Sequence, residues 1–185
     1  MKKLILAAAI AVFGLSNAQT FGLKAGGNVS SVSNSDDSKA KFGFYAGAFV
    51  NVPLAESFNI QPEVLYSGKG VKSDDGSNIN LNLDYISIPV MFQYKATPQF
   101  YLEAGPEFGF LISAKAKANG NSGDVKSLFN GFDFGLGLGA GYDFTSNFGA
   151  NIRYVAGVTD IIKNNNGDAS RNGVFQFGVT YKFGK

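Results

Sequence analysis

The clearest pattern in the chain is an alternation of apolar positions with small or polar positions between residues 129 and 144. One parity is apolar or aromatic, with Phe132, Phe134, Leu136, Leu138, Ala140 and Tyr142. The other is small or polar, with Gly131, Asp133, Gly135, Gly137, Gly139 and Gly141. A period of two predicts a strand whose faces meet different surroundings. A bilayer-crossing strand needs about 9–11 residues, whereas soluble strands usually have about 5–6. The length and the glycine-rich second face predict a wall strand of a membrane barrel.

Seven other stretches alternate in the same way, some of them less regularly. The eight predicted strands are 20–31, 41–52, 57–69, 79–94, 99–112, 129–144, 148–158 and 173–183. Tyr45 and Phe49 fall on the polar parity of the second, and Pro62 marks an irregular point or the start of the third. In the fourth, the apolar parity shifts between Leu83 and Ile86, which predicts a bulge or a later strand start.

The connections between these strands differ systematically in length. Those after the first, third, fifth and seventh strands are long and polar, and those after the second, fourth and sixth are short. Outer-membrane barrels combine short periplasmic turns with longer external loops, and an even number of strands places both termini in the periplasm. The predicted fold is therefore all-β, a transmembrane up-and-down antiparallel β-barrel of about eight strands.

The first 18 residues have the pattern of a secretory signal peptide. Two lysines precede an apolar run that ends in small residues, with predicted cleavage after Ala18. We predict a signal peptide at 1–18, a barrel domain at 19–185, and an outer-membrane location after export. Removing the two lysines leaves 16 − 2 = 14 basic residues against 14 acidic ones. A neutral mature chain without a basic run predicts no nucleic-acid binding.

Candidate chemistry is sparse in this chain. It contains no cysteine and no histidine, which excludes disulfides, Ser/His or Cys/His catalysis and His-ligated metals. Glu103 and Glu107 would lie about 13 Å apart on one strand, beyond the roughly 5–9.5 Å of glycosidase carboxylates. Gly135, Gly137 and Ala140 fit a loose dinucleotide fingerprint, but the alternation runs through them without a helix. We predict no enzymatic activity, no cofactor and no metal site.

Four segments carry a family resemblance, at 85–94, 100–106, 132–142 and 153–157. They resemble the small outer-membrane β-barrels of Gram-negative bacteria that are described as porin-family or PorT-family proteins. The resemblance covers essentially the whole mature chain and implies an architecture similar to OmpX and the OmpA barrel. It also implies insertion by the barrel-assembly machinery, and some PorT-like members are associated with protein secretion. Such barrels often end on an aromatic residue, whereas Gly184 and Lys185 follow Phe183 here.

If the apolar parity faces lipid, the lumen receives a set of polar side chains. They are Lys24, Gln61, Glu63, Glu103, Glu107, Asp133, Arg153, Gln176 and Lys182. The interior of an eight-stranded barrel is just wide enough for side chains to fill it. We therefore predict a paired network with Arg153 at its hub, because a guanidinium can bridge two carboxylates. The alternative is a gated ion path through the same residues.

A soluble, lipocalin-like barrel would reverse the two faces and bind an apolar ligand among Phe132, Phe134 and Phe175. Its surface would then be rich in glycine and poor in charge, with only 16% charged residues in the chain.

The pattern favours a monomeric membrane barrel surrounded by outer-membrane lipid and lipopolysaccharide. We expect a structural or surface-interaction role, with limited permeation of small solutes or ions as a further possibility.

Overall fold

The computed structural model describes residues 19–33, 38–73, 80–118, 121–165 and 167–183. Within these ranges the chain forms nine strands and one 3₁₀ helix at Lys126–Leu128. The strands are β1 Thr20–Val32, β2 Ser38–Ala55, β3 Phe58–Ser73, β4 Asn80–Lys95, β5 Phe100–Ala118, β6 Asn121–Asp124, β7 Phe132–Asp143, β8 Phe148–Gly157 and β9 Asn172–Lys182. No helix in the described ranges has the length and apolarity needed to cross a bilayer. The predicted signal peptide lies outside the described residues.

Eight of the nine strands form a closed ring. The order is β1-β2-β3-β4-β5-β7-β8-β9, every pair is antiparallel, and β9 pairs again with β1. The short β6 pairs only with the end of β5, at residues 115–118. Closure leaves no free edge in the ring itself, so each of its eight strands has a partner on both sides. The prediction of an eight-stranded antiparallel barrel is confirmed.

The register of the ring fixes how wide the barrel is. Following paired residues once around the ring from Val52 leads back to the same strand at Phe42, a shift of 52 − 42 = 10 residues. The path runs through Val52, Ile60, Phe92, Ala104, Leu138, Tyr154, Phe175, Val29 and Phe42. With ordinary strand spacing and rise, eight strands and this shear give a tilt of about 40° and a backbone radius of about 8 Å. An interior of that radius has room for side chains and little else.

The two faces of the wall are divided as the alternation predicts. Apolar side chains cover the outside, where Leu138 is 68% exposed and Phe132 and Phe175 are each 44% exposed. Phe134 packs on the same outer face against Phe108, with ring centroids 5.5 Å apart. The three phenylalanines expected to hold an apolar ligand in a soluble barrel therefore lie outside. This arrangement does not favour the lipocalin-like alternative.

The strands of the described part differ from the predicted ones mainly at one end of the barrel. β2, β3 and β5 continue into stretches predicted to be loops, and β7 begins at Phe132 rather than Phe129. The bulge predicted between Leu83 and Ile86 is found in the pairing of β4 with β5, where the register shifts between Asp84 and Tyr85. The alternation along β4 itself is continuous, and Leu83 and Tyr85 point inward. The irregularity lies on its partner strand, where Ile112 of β5 is an extra residue opposite this part of β4. Because apolar residues in this part of β4 point inward, the apolar positions in the sequence change from one face to the other although the strand itself is regular.

Candidate functional site

A cluster of four charges occupies the middle of the lumen. The Nε of Arg153 on β8 lies 2.7 Å from Oε1 of Glu103 on β5. Its two terminal nitrogens donate to Glu63 on β3, with distances of 2.7 and 2.9 Å. The ammonium of Lys24 on β1 lies 3.1 Å from Oε1 of Glu63. All four side chains are fully buried, so the guanidinium bridges two carboxylates from different strands.

Amide side chains complete the shell around these carboxylates. Gln61 donates to Oε1 of Glu63 at 2.9 Å, and Gln93 donates to Oε2 of Glu103 at 3.1 Å. Asn51 donates in turn to the side-chain oxygens of Gln61 and Gln93, at 3.0 and 2.7 Å. Both oxygens of each carboxylate therefore accept at least one hydrogen bond. Buried charges are tolerated when they are paired and hydrogen-bonded in this way.

The glycines of β7 leave space for the large side chains of this cluster. A Cβ built on Gly141 would lie 2.2 Å from the ring of Tyr101, and one on Gly139 would lie 3.1 Å from Oε1 of Glu103. At Gly137 it would meet Met91 at 3.2 Å and Arg153 at 3.5 Å. These glycines belong to a continuous strand and not to a strand–turn–helix phosphate loop.

A second charged cluster lies nearer the outer end of the lumen. The ammonium of Lys69 on β3 is 3.0 Å from Oε1 of Glu107 and 3.9 Å from Oδ2 of Asp133. The hydroxyl of Thr159 and the amide of Asn172 donate to Asp133, at 3.0 and 2.7 Å. Sequence reasoning missed Lys69, which ended a predicted strand, although it shares the inward parity of that strand.

The third charged group lies at the opposite mouth of the barrel, where the short turns meet and which is predicted to face the periplasm. The ammonium of Lys182 pairs with Asp143, and both side chains remain partly exposed. They line a cavity of about 410 Å³ together with Lys95, Gln99 and Thr145. The structure thus places all seven predicted network residues on the inner face, but in three groups. Lys182 does not meet Arg153, and its partner Asp143 shares the parity of the β7 glycines.

The outer end of the lumen is closed by apolar side chains. The buried members of this apolar layer are Leu83, Tyr85, Leu111, Ala114, Phe129 and Ile161. Phe129 and Ile161 come from two loops, which are tied together where the backbone N–H of Asn130 donates to the carbonyl of Ile161 at 2.8 Å. The N–H of Lys163 also donates to the carbonyl of Leu128 at 2.9 Å. The loops therefore act as a lid that inserts two apolar side chains into the barrel.

Asp160 shapes the loop that carries Ile161. Its carboxylate accepts hydrogen bonds from the backbone N–H groups of Ile162 and Ser170, at 2.9 and 3.2 Å. The amide of Asn165 donates to its other oxygen at 2.9 Å. These donors, the N–H of Ile162 foremost, hold the pKa of Asp160 below its ordinary value of 3.8. The lid is thus ordered by an ionised carboxylate outside the membrane-spanning strands.

The lowered pKa predicts how the lid responds to acid. A carboxyl group whose pKa is depressed by folding stabilises the fold above its unfolded pKa and loses that contribution as the pH falls through the folded one. The amide proton resonance of Ile162 is therefore expected to stay constant down to about pH 4 and to shift below it. Solution NMR in detergent micelles measures this shift. In Asp160→Asn the resonance should not titrate, and a midpoint above 3.8 would contradict the assignment.

Within the described ranges, no three acidic side chains converge as a metal site would require. The absence of a metal or cofactor stays a prediction, since it concerns the whole protein.

Comparison with known proteins identifies the barrel. Residues 17–163 match the family model described as outer membrane protein beta-barrel domain. The chain belongs to this outer-membrane β-barrel family. No curated protein matches it. The finer porin-family or PorT-like type stays a prediction.

Several solved structures have the same fold as this chain. Neisserial surface protein A has a TM-score of 0.58 at 17% identity, over 88% of this chain and 97% of its own. Ail of Yersinia pestis has a TM-score of 0.54 at 14% identity, over 89% and 97%. OprG of Pseudomonas aeruginosa has a TM-score of 0.52 at 14% identity, over 91% and 97%. At these identities the likeness shows a common small-barrel fold.

Proposed function

We propose that this outer-membrane barrel is non-conducting and non-enzymatic, and that it acts as a rigid support for its outer surface. The observation that carries the proposal is a lumen closed by two different layers in series. Arg153, Glu63 and Glu103 form the charged layer, and the apolar layer lies beyond it. We further propose that it is a monomer without a cofactor, inserted by the barrel-assembly machinery.

An ion path through these layers would face two separate barriers. In the charged layer, Arg153, Glu63 and Glu103 have no exposed side-chain surface, and each carboxylate oxygen already has a donor. The hydroxyl of Tyr85 is the one polar side-chain group of the described apolar layer, and hydrophobic constrictions block conduction by excluding water. These features support a plug over the gated ion path.

The outer end of the barrel supports the surface-interaction role. β2, β3 and β5 extend beyond their predicted ends. The four residues of β6 are exposed and pair with the end of β5 to form a hairpin. Loops that a rigid scaffold positions are the usual carriers of binding. A role as a PorT-like accessory of secretion rests on the resemblance alone and stays a prediction.

A lumen closed by these two layers predicts that the protein conducts no ions across planar lipid bilayers. The refolded barrel is expected to give no single-channel steps, with a large open porin as the positive control. Because the layers act in series, Phe129→Ala/Ile161→Ala should remain silent as well, since it leaves the charged layer intact. Discrete steps from the wild-type protein that disappear after heat denaturation would contradict the proposal.

A further inference from the structure

Four lysines lie together on the outer wall of the barrel, at the outward ends of β2, β3 and β5. Lys72, Lys115 and Lys117 are exposed, and Lys41 is partly buried. Lys72 and Lys117 both pair with Asn80 of β4, one from each side. Paired residues point to the same face of a sheet, so these side chains share the outer face. We call Lys41, Lys72, Lys115 and Lys117 the outer lysine cluster.

Two bulges determine which face of the sheet these lysines occupy. Ile112 is the extra residue in β5, and without it Lys115 and Lys117 would share the parity of the inward-facing Leu111. β2 likewise contains one extra residue between Ala40 and Tyr45 relative to β3. Bulges re-aim side chains at the cost of regular pairing, and they recur near functional sites. Simple alternation along β5 would have sent two more lysines into the lumen.

Three members of the cluster, Lys41, Lys115 and Lys117, line a cavity of about 380 Å³ on the outer wall. Phe42 and Phe44 line the same cavity, together with the acidic Asp84. The ammonium of Lys41 donates to the side-chain oxygen of Asn82 at 2.6 Å, which fixes it at the cavity. The site therefore combines fixed positive charge with an apolar floor.

Among the residues that the structure describes, positive charge exceeds negative charge around this cavity. Asp84, Lys72 and Lys117 all lie close enough to Lys41 for their charges to act on it, and Asp84 acts most strongly of the three. The acids on this face of the described part are Asp84 and Asp124. The Oδ1 atom of Asp84 accepts a hydrogen bond from Tyr66 at 2.8 Å, and Asp124 lies opposite Lys115 in the register of β6 with β5. Within the described residues, none of the four lysines forms an ion pair. Several like charges held together in this way favour a multivalent anion.

We propose that the outer lysine cluster binds the phosphate groups of a phosphorylated glycolipid in the outer leaflet. The cluster lies at the outer ends of the strands, where lipid headgroups meet the wall, and lysine is an effective phosphate binder. The aromatic floor formed by Phe42 and Phe44 faces the bilayer, where an acyl chain would pack. A free phosphate would leave that floor unused, so the geometry points to a lipid. This inference goes beyond the closed lumen and can fail without affecting it.

Binding of bis-phosphorylated lipid A to the full refolded barrel in detergent tests the proposal. Lys115→Gln/Lys117→Gln is expected to weaken binding about 25-fold, because a lysine near an anionic membrane surface contributes about fivefold. The matched control is Lys163→Gln/Arg171→Gln, which removes two exposed cations from the loop between β8 and β9 and should leave affinity unchanged. Lys115→Arg/Lys117→Arg should retain binding. The mobility shift between boiled and unboiled samples shows that each variant is folded.

The other outcomes would overturn the proposal. If Lys163→Gln/Arg171→Gln weakened the binding of lipid A equally, the binding would reflect general attraction of the anionic lipid to cationic residues at this end of the barrel. Unchanged binding of dephosphorylated lipid A would show apolar adhesion alone. Competition by inorganic tripolyphosphate at the affinity of lipid A would assign the cluster to a soluble polyphosphate instead of a lipid.

Discussion

Arg153→Ala is expected to lower the free energy of unfolding by about 3–5 kcal/mol, the cost of breaking a buried ion network by removing one partner. The variant leaves Glu63 and Glu103 facing each other's charge in the lumen, with Lys24 as the cation that remains beside Glu63. Neither carboxylate can reach bulk water from a side chain that is fully buried. Urea unfolding in lipid vesicles, followed by the gel mobility of unheated samples, measures the loss.

Two variants separate the charge effect from a general loss of packing. Arg171→Ala removes an exposed arginine near the outer end and should change stability by less than about 0.5 kcal/mol. Arg153→Met and Lys24→Met combined with Glu63→Gln and Glu103→Gln remove the four charges together and should recover most of the loss, because a whole buried network can often be replaced at little cost. If Arg153→Ala cost no more than Arg171→Ala, the hub would not stabilise the fold.

Leu138→Arg is expected to lower the unfolding free energy in lipid vesicles by about 2–4 kcal/mol, as for a cation at the midplane of a barrel wall. Leu138 lies in the middle of β7 and is 68% exposed on the outer face. In water, such a substitution on an exposed side chain would be nearly neutral. The large cost comes from placing the charge in hydrocarbon.

Leu128→Arg provides the matched control for this variant. Leu128 is 60% exposed but belongs to the 3₁₀ helix of an outer loop, away from the lipid-facing wall. The same change of residue there should alter stability by less than about 0.5 kcal/mol. Equal effects at the two positions would mean that Leu138 does not face hydrocarbon.

The faces of the wall could be predicted from the sequence because they depend on a local rule. Successive side chains of a strand point to opposite sides, so the alternation along β7 assigns Leu138 outward and Asp133 inward before any pairing is known. The same rule placed Arg153, Glu63 and Glu103 in one lumen. The loop lengths then oriented the barrel, since short turns and long loops alternate along the chain.

The partners of the charged residues could not be predicted in this way. Which residues share a level inside the barrel depends on the register of eight strands and on their shear, which are properties of the closed ring. Register brings Lys69 to Glu107 and takes Lys182 to Asp143, away from Arg153. A parity argument contains no information about height along the barrel axis.

The sequence by itself determined the strand class and the two faces, and it predicts the direction of the barrel, because side-chain period and loop composition are local. The tertiary structure alone decided what closes the lumen and what faces the outer leaflet. Phe129 and Ile161 reach the apolar layer from loops whose path depends on packing against each other. Lys115 and Lys117 face outward because one extra residue in β5 reverses the parity beyond it, and a bulge appears only when two strands are paired.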